Sequence, residues 1–274
     1  GSFIFGLAMQ LGGGCGSGTL FTAGSGNLKM VITLIFFIIG SLVGSYHFEF
    51  WTNLPSIGGF SLLNSFSKIQ TILIQLSLLT LIYVFISKLD FNRNNKISHS
   101  DIVSNSSHDF IRGPWPLLWG AVSLVFFSFL MLQAAGHPWS VTFAFGLWGA
   151  KIASAIGIDV SSWFYWQLEY PSTALENSVL ADPTTVSNVG IILGALIGSA
   201  LSGKISKFSS VNKKLILAAV IGGFFMGYGA RLAFGCNIGA LFGGIASGSL
   251  HGWVWFLFAF LGSVVGVKFR KYFY

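Results

Sequence analysis

The sequence predicts an all-α polytopic membrane protein built from two inverted repeats, each containing broken or re-entrant half-helices. Three observations carry that expectation. Of 274 residues, 53% are hydrophobic and only 8% are charged, whereas soluble domains carry about 25% charge. Six apolar runs are long enough to cross roughly 30 Å of hydrocarbon as helices. A cysteine set among glycines occurs twice, in "GGGCGSGTLF" at 12–21 and "AFGCNIGALF" at 233–242.

The expected spans, in chain order, are Met30–Tyr46, Thr71–Ile86, Leu117–Gln133, Val186–Leu201, Leu215–Phe234 and Trp253–Phe269. Phe3–Leu11 with its continuation Ser17–Leu28, and Val141–Ile156, are apolar but short, glycine-rich or interrupted. Irregular backbone at membrane depth is tolerated only where protein buries it or it lines a cavity. These segments are therefore expected to point inward. Most tryptophans, among them Trp51, Trp115, Trp139 and Trp253, bracket the apolar runs as an interfacial belt does.

The net charge of +7 does not point to nucleic acid, because the cations cluster in particular loops. Lys88, Arg93, Lys96 and Arg112 lie in one polar loop; Lys204, Lys207, Lys213 and Lys214 lie in the next; Lys268, Arg270 and Lys271 close the sequence. The positive-inside rule puts all three in the cytoplasm and puts the acidic loop 157–184 outside. The Ser/Asn-rich stretch 89–113, with His99 and His108, reads as a cytoplasmic linker. It divides the chain into an N-terminal repeat, 1–88, and a C-terminal repeat, 114–274. No cleavable signal peptide is readable, and the chain does not begin with Met.

Placing residue i over residue i+221 superposes Phe3 on Phe224, Gly6 on Gly227, Gly14 on Gly235, Cys15 on Cys236, Gly18 on Gly239 and Phe21 on Phe242. After one inserted residue, "GSLVG" at 40–44 lies over "GSVVG" at 262–266. The charge bias makes the helix ending at Lys268 run inward. Its counterpart Met30–Tyr46 must run outward if Thr71–Ile86 is to return to the cytoplasmic loop. The two copies are thus expected to be inverted, the arrangement in which transporters build a site near the midplane from helix ends.

Cys15 and Cys236 are the candidate pathway residues, with Gly14, Gly16, Ser17 and Gly18 around the first and Gly235, Asn237 and Gly239 around the second. Cysteine is also a common small buried hydrophobe, and membrane glycines are often only packing surfaces; recurrence at two helix breaks favours function. After each cysteine, small residues can begin a half-helix whose unpaired N–H groups and dipole favour an anion. Simple capping by Ser17 and Asn237 is the competing reading. A soft thiol suits a sulfur-bearing ligand. Two cysteines fall short of a structural zinc set, and no histidine stands at partner spacing; no metal or other cofactor is expected. No catalytic set and no Walker motif emerge, so the chain is not read as an enzyme.

Arg231, five residues before Cys236 in an apolar helix, is costly unless functional, snorkelling or paired with Glu169 or another acid. Lys151 is a weaker case near a segment end. His47, His137 and His251 fall at segment edges.

The stretches "FIFGLAMQLGGGCGSGTL" at 3–20, "GHPWSVTFAFGLWGAKIASAIGIDVSSW" at 136–163 and "GGFFMGYGARLAFGCNIGALFGGIASGSLHGWVW" at 222–255 resemble the YeeE/YedE membrane proteins of sulfur transport, whose characterised members are thiosulfate transporters. The resemblance implies an hourglass of two inverted halves in the bacterial inner membrane. It implies thiols at Cys15 and Cys236 that pass a small anionic sulfur substrate along by weak S–H···S contacts. A further family cysteine precedes the region where this chain starts. The C-terminal half has a block, Leu117–Leu201, before its cysteine unit, so an equivalent block of about 80 residues is expected ahead of Phe3. Three readings stay open. One is import of thiosulfate or a related sulfur oxyanion. The second is a membrane relay in which Cys15 or Cys236 carries persulfide to a cytoplasmic sulfur-accepting protein. The third is a scaffold subunit whose cysteines are structural.

Overall fold

The computed structural model describes all residues except 57, 95–115, 204 and 206–211, and of 91–94 only the backbone. Lys96, His99, His108, Arg112, Trp115, Lys204, Lys207, the side chain of Arg93 and most of the expected linker lie outside that description. Among the described residues the chain is helical and has no strand, only an isolated bridge between Ser61 and Ser249.

Helix α1 (Ser2–Gly12) stops where Gly13 turns left-handed at φ 93°. The break at Cys15 precedes α2 (Gly16–Gly24). Helix α3 (Leu28–Tyr46) begins where the Asn27 side chain accepts from the Met30 N–H. Short α4 (Phe48–Thr52) and α5 (Leu62–Ser65) lead to α6 (Lys68–Asn94), and α7 (Leu117–Ala135) follows. Helix α8 (Thr142–Ala155) is the short apolar segment of the second half. The acidic loop folds into a 3-10 turn, Phe164–Gln167, helix α9 (Glu169–Glu176) and a second turn, Val179–Ala181. Asp182 caps α10 (Pro183–Leu201), with Pro183 in the first turn where its missing N–H costs nothing. Helix α11 (Lys213–Leu232) ends before a π-helical turn, Asn237–Phe242, which continues into α12 (Gly243–Ala246). Ser249 caps α13 (Leu250–Arg270).

Six stretches are long and apolar enough to cross a membrane, and each coincides with an expected span. Their ends move by a few residues because caps rather than hydropathy set them: Asn27 and Ser249 start their helices two or three residues ahead of the apolar run.

Helices α1, α3, α11 and α13 form the centre, and glycines bring them together. A Cβ built on Gly6 would lie 2.0 Å from the Ala259 carbonyl oxygen, and one on Gly227 2.1 Å from that of Phe37. One on Gly262 would lie 2.1 Å from the Phe3 oxygen, and one on Gly40 1.9 Å from that of Phe224. Lipid tails are as apolar as leucine, so membrane helices associate by this close backbone approach instead of by expelling water. Between α1 and α11 the contact order descends, Gly1 by Leu232, Phe5 by Gly229 and Gly12 by Met226, so the two run antiparallel. Between α3 and α11 it ascends, Thr33 by Gly223, Phe37 by Gly227 and Gly44 by Arg231. Between α1 and α13 it also ascends, Phe3 by Gly262 and Gln10 by Gly266.

Around this centre, α8 lies on α3, where Gly149 meets the Ile38 carbonyl, and α10 lies on α2, where Gly24 meets that of Ile192. No side chain in the α7 span is buried and few in α6 are, as expected of helices apolar on every face and solvated by lipid.

Candidate functional site

Cys15 and Cys236 stand at equivalent places in the backbone. Each is the residue before a short helical segment, and each is extended, at φ −81°, ψ −172° for Cys15 and φ −118°, ψ −162° for Cys236. The Cys15 carbonyl accepts from the Thr19 N–H at 2.8 Å, and the Cys236 carbonyl accepts from the Ala240 N–H at 2.9 Å. In neither case does a side chain cap the segment. Ser17 and Asn237 therefore do not cap: the thiol residues hold the cap positions, two places upstream of Ser17 and one upstream of Asn237. Ser17 Oγ instead lies 3.4 Å from Cys15 Sγ, and Asn237 Oδ1 is buried without a partner.

The two frames meet. A Cβ on Gly16 would lie 3.2 Å from Cys236 Sγ and 3.4 Å from Thr142 Cγ2. The absence of a side chain at Gly16 thus lets the start of α2, the start of α8 and the second thiol share one point. A Cβ on Gly18 would lie 3.6 Å from Cys15 Sγ, and one on Gly239 3.6 Å from Ser140 Oγ. A Cβ on Gly14 would lie 3.1 Å from Met30 Cε. Gly235, at φ 148°, takes a backbone conformation open only to glycine, and a Cβ there would strike the Ala240 nitrogen at 2.8 Å. Both cysteines are free thiols; Cys236 is fully buried and Cys15 half-buried.

Arg231 is buried, 7% exposed, in the last turn of α11. It does not pair with Glu169 or any other acid among the described residues. Its guanidinium donates to Tyr165 Oη and, at 3.1 Å, to Ser41 Oγ, and lies 4.3 Å over the Tyr165 ring, while Nε has no partner. The acids of that loop are distant or already engaged. Asp182 accepts from Tyr170, Thr184 and both the N–H and hydroxyl of Thr185. Burial and the Asp182 carboxylate push the Tyr170 phenol up to about 12, so it remains a donor.

Arg231, Gly235, Tyr165, Tyr170 and the segment around Ser140 and Thr142 enclose a cavity of about 280 Å³. That volume holds a small tetrahedral anion with several waters. Gly235 links it to the thiol site, being both a wall residue and the neighbour of Cys236. Lys151 has no part in it: its ammonium donates to the carbonyls of Leu175 and Asn177, at the C-terminus of α9, where a cation is favoured. His47 meets Tyr228 Oη at 3.3 Å, and His251 Nε2 donates to the Ala233 carbonyl at 3.1 Å.

Sequence reasoning passed over Tyr165, Ser41, Ser140 and Thr142. The last two lie within "HPWSVT" at 137–142, beside the glycines and thiols in space but about a hundred residues from either in the chain. Nothing in the local pattern around Tyr165 or Ser41 marks them.

The sequence model of the family described as Sulphur transport matches residues 1–265. The chain belongs to that family, the YeeE/YedE proteins, and is a multi-pass membrane protein of a transporter family rather than an enzyme. It is 31% identical over 134 residues to "Probable transporter YedE" of Escherichia coli K12, which covers 49% of this chain and 32% of that protein. It spans about a third of the length of the YedE relatives it matches. It is 25% identical to "Thiosulfate transporter TsuA" of Spirochaeta thermophila over 99% of this chain and 77% of that protein, and 24% identical to TsuA of E. coli K12 over 96% and 71%.

Proposed function

We propose that the chain forms a pathway for thiosulfate or a related small sulfur oxyanion, lined by Cys15, Cys236 and the N-termini of short helices. The observation that carries this is the convergence at Gly16. The Cys236 thiol meets the starts of α2 and α8 at Gly16, the residue after Cys15, so soft sulfur and helix-start backbone donors lie at one point. The thiol donates weakly to the terminal sulfur of the substrate, and the N–H groups meet its oxygens. Arg231 makes the neighbouring cavity electropositive and draws the anion toward Gly235 and Cys236.

The antiparallel order of α1 and α11, with α1 on α13 matching α3 on α11, supports two inverted halves, 1–88 and 114–274, waisted at the cysteines in an hourglass. Two pairs of close glycine contacts then answer each other: Gly6 on Ala259 with Gly227 on Phe37, and Gly262 on Phe3 with Gly40 on Phe224. Cytoplasmic sulfur-accepting proteins are the natural recipients of the transported anion. Full burial of Cys236 counts against a persulfide relay through that thiol, which leaves half-buried Cys15 as its carrier.

The test is uptake of labelled thiosulfate against sulfate, in cells lacking other sulfur importers. Thiosulfate uptake that depends on this protein is expected; a persulfide trapped on Cys15 or Cys236, with no net uptake, would instead establish the relay.

A further inference from the structure

Arg231 and Tyr165 share a hydrogen bond whose direction is not open to choice. A guanidinium has only donors, so the phenol oxygen accepts. The phenol therefore keeps its own O–H, which has no acceptor among the described residues. Tyr165 lines the 280 Å³ cavity; Ser41, the other acceptor on the guanidinium, does not. Of the other hydroxyls on that wall, those of Tyr170 and Thr184 are committed to Asp182; Ser140 and Thr142 also line it, but neither is bonded to a cation that would polarise its O–H. Burial holds the Tyr165 phenol above its ordinary value, and Arg231 only partly offsets this, so the proton stays on.

The counterpart positions sharpen the point. In the repeat register, Arg231 corresponds to Gln10 and Ser41 to Ser263, which donates to the Gly6 carbonyl at 3.1 Å. At the Cys15 end the guanidinium of Arg270 lies 4.7 Å over the Tyr274 ring, but the Tyr274 hydroxyl is already spent on the Leu11 carbonyl at 3.2 Å.

We infer that Tyr165 is a specificity-determining residue of the anion cavity: its O–H, polarised by Arg231, donates to an oxygen of the bound sulfur oxyanion and selects oxyanions over halides. The inference rests on the thiosulfate reading above. A halide is a single spherical acceptor that the guanidinium can satisfy alone. A tetrahedral oxyanion offers several oxygens and can take the cation and the directed O–H together.

The test is titration of the purified full-length chain in nanodiscs with sodium thiosulfate, and separately with sodium chloride as competitor. Tyr165→Phe keeps the ring under Arg231 and removes only the hydroxyl. Thiosulfate binding is expected to weaken about tenfold or more, the usual cost of a hydrogen bond to a charged group, with chloride binding little changed. Ser41→Ala removes a guanidinium partner from outside the cavity and is expected to weaken both anions alike, by less. Equal effects of the two variants on both anions would reduce Tyr165 to a support for Arg231 and overturn the inference. If Tyr165→Phe does not fold, 3-fluorotyrosine placed at 165 keeps the shape and makes the O–H more acidic; tighter thiosulfate binding is expected, and unchanged binding overturns the inference. Loss of binding in Cys236→Ser with none in Tyr165→Phe would overturn the inference alone, whereas no thiosulfate binding by the wild type would overturn the transport reading with it.

Discussion

The Cys15 corner and the Cys236 corner share a backbone and differ in chemistry. Both put an extended cysteine before a short helix, both pack their long helices through glycine, and both receive a polar side chain on the last carbonyls of the preceding helix. Those groups are Lys29 and Tyr274 on Leu11 and His251 on Ala233. Yet Cys15 is half-buried beside a hydroxyl and Cys236 is fully buried. Gln10 stands where the other copy has Arg231. The segment after Cys15 is α-helical and that after Cys236 is π-helical. The left-handed residue is Gly13 in one copy and Phe234, at φ 55°, in the other. The matching backbone contacts tolerate no extra atom, while side chains facing space differ between the two corners. The difference between the two corners is therefore written in side chains.

The largest expected effect treats the corners as equals. Cys15→Ser and Cys236→Ser should each reduce thiosulfate uptake to near background with the protein still folded, because a hydroxyl keeps the size but loses the soft sulfur. Full activity in one of them would make that corner structural and end the equivalence.

Arg231→Gln makes the second corner resemble the first. Initial uptake at low thiosulfate should drop by about tenfold or more, the loss of one charge-assisted contact, and Arg231→Lys should lose less than Arg231→Leu. Concentration-dependent uptake separates lost capture, seen as a raised half-saturation, from lost passage.

The glycine contacts should again behave as twins. Gly6→Val and Gly227→Val each force a side chain into a carbonyl about 2 Å away, and overpacking of this kind costs ~1–3 kcal/mol or more. Thermal unfolding in detergent should show similar losses for the two. A large loss in one and none in the other would contradict the matched packing.

The smallest effect concerns the left-handed residue. Gly13→Ala should destabilise by ~1 kcal/mol through its φ of 93°. Phe234→Gly should relieve the same strain at the cost of the ring's edge contact with Phe48 at 5.6 Å, leaving a net change within ~1 kcal/mol. Melting temperatures of the pair measure how far the copies have diverged.

What the sequence determined alone is the solvent, the spans and the repeat. Apolar length sets where a helix can cross, and Asn27, Asp182 and Ser249 set where three of them start, all by interactions within a few residues. Glycine recurrence marked the cysteine frames for the same reason: a break, a cap and a close approach each need a particular residue at a particular place. Only tertiary structure decided what those frames face. That Gly16 opens onto Cys236, that α8 brings Thr142 to the same point, and that Arg231 meets Tyr165 instead of an acid depend on helices distant in sequence crossing at glycines. A side chain's neighbour across such a crossing is set by packing geometry, which leaves no local trace around Ser41 or Tyr165.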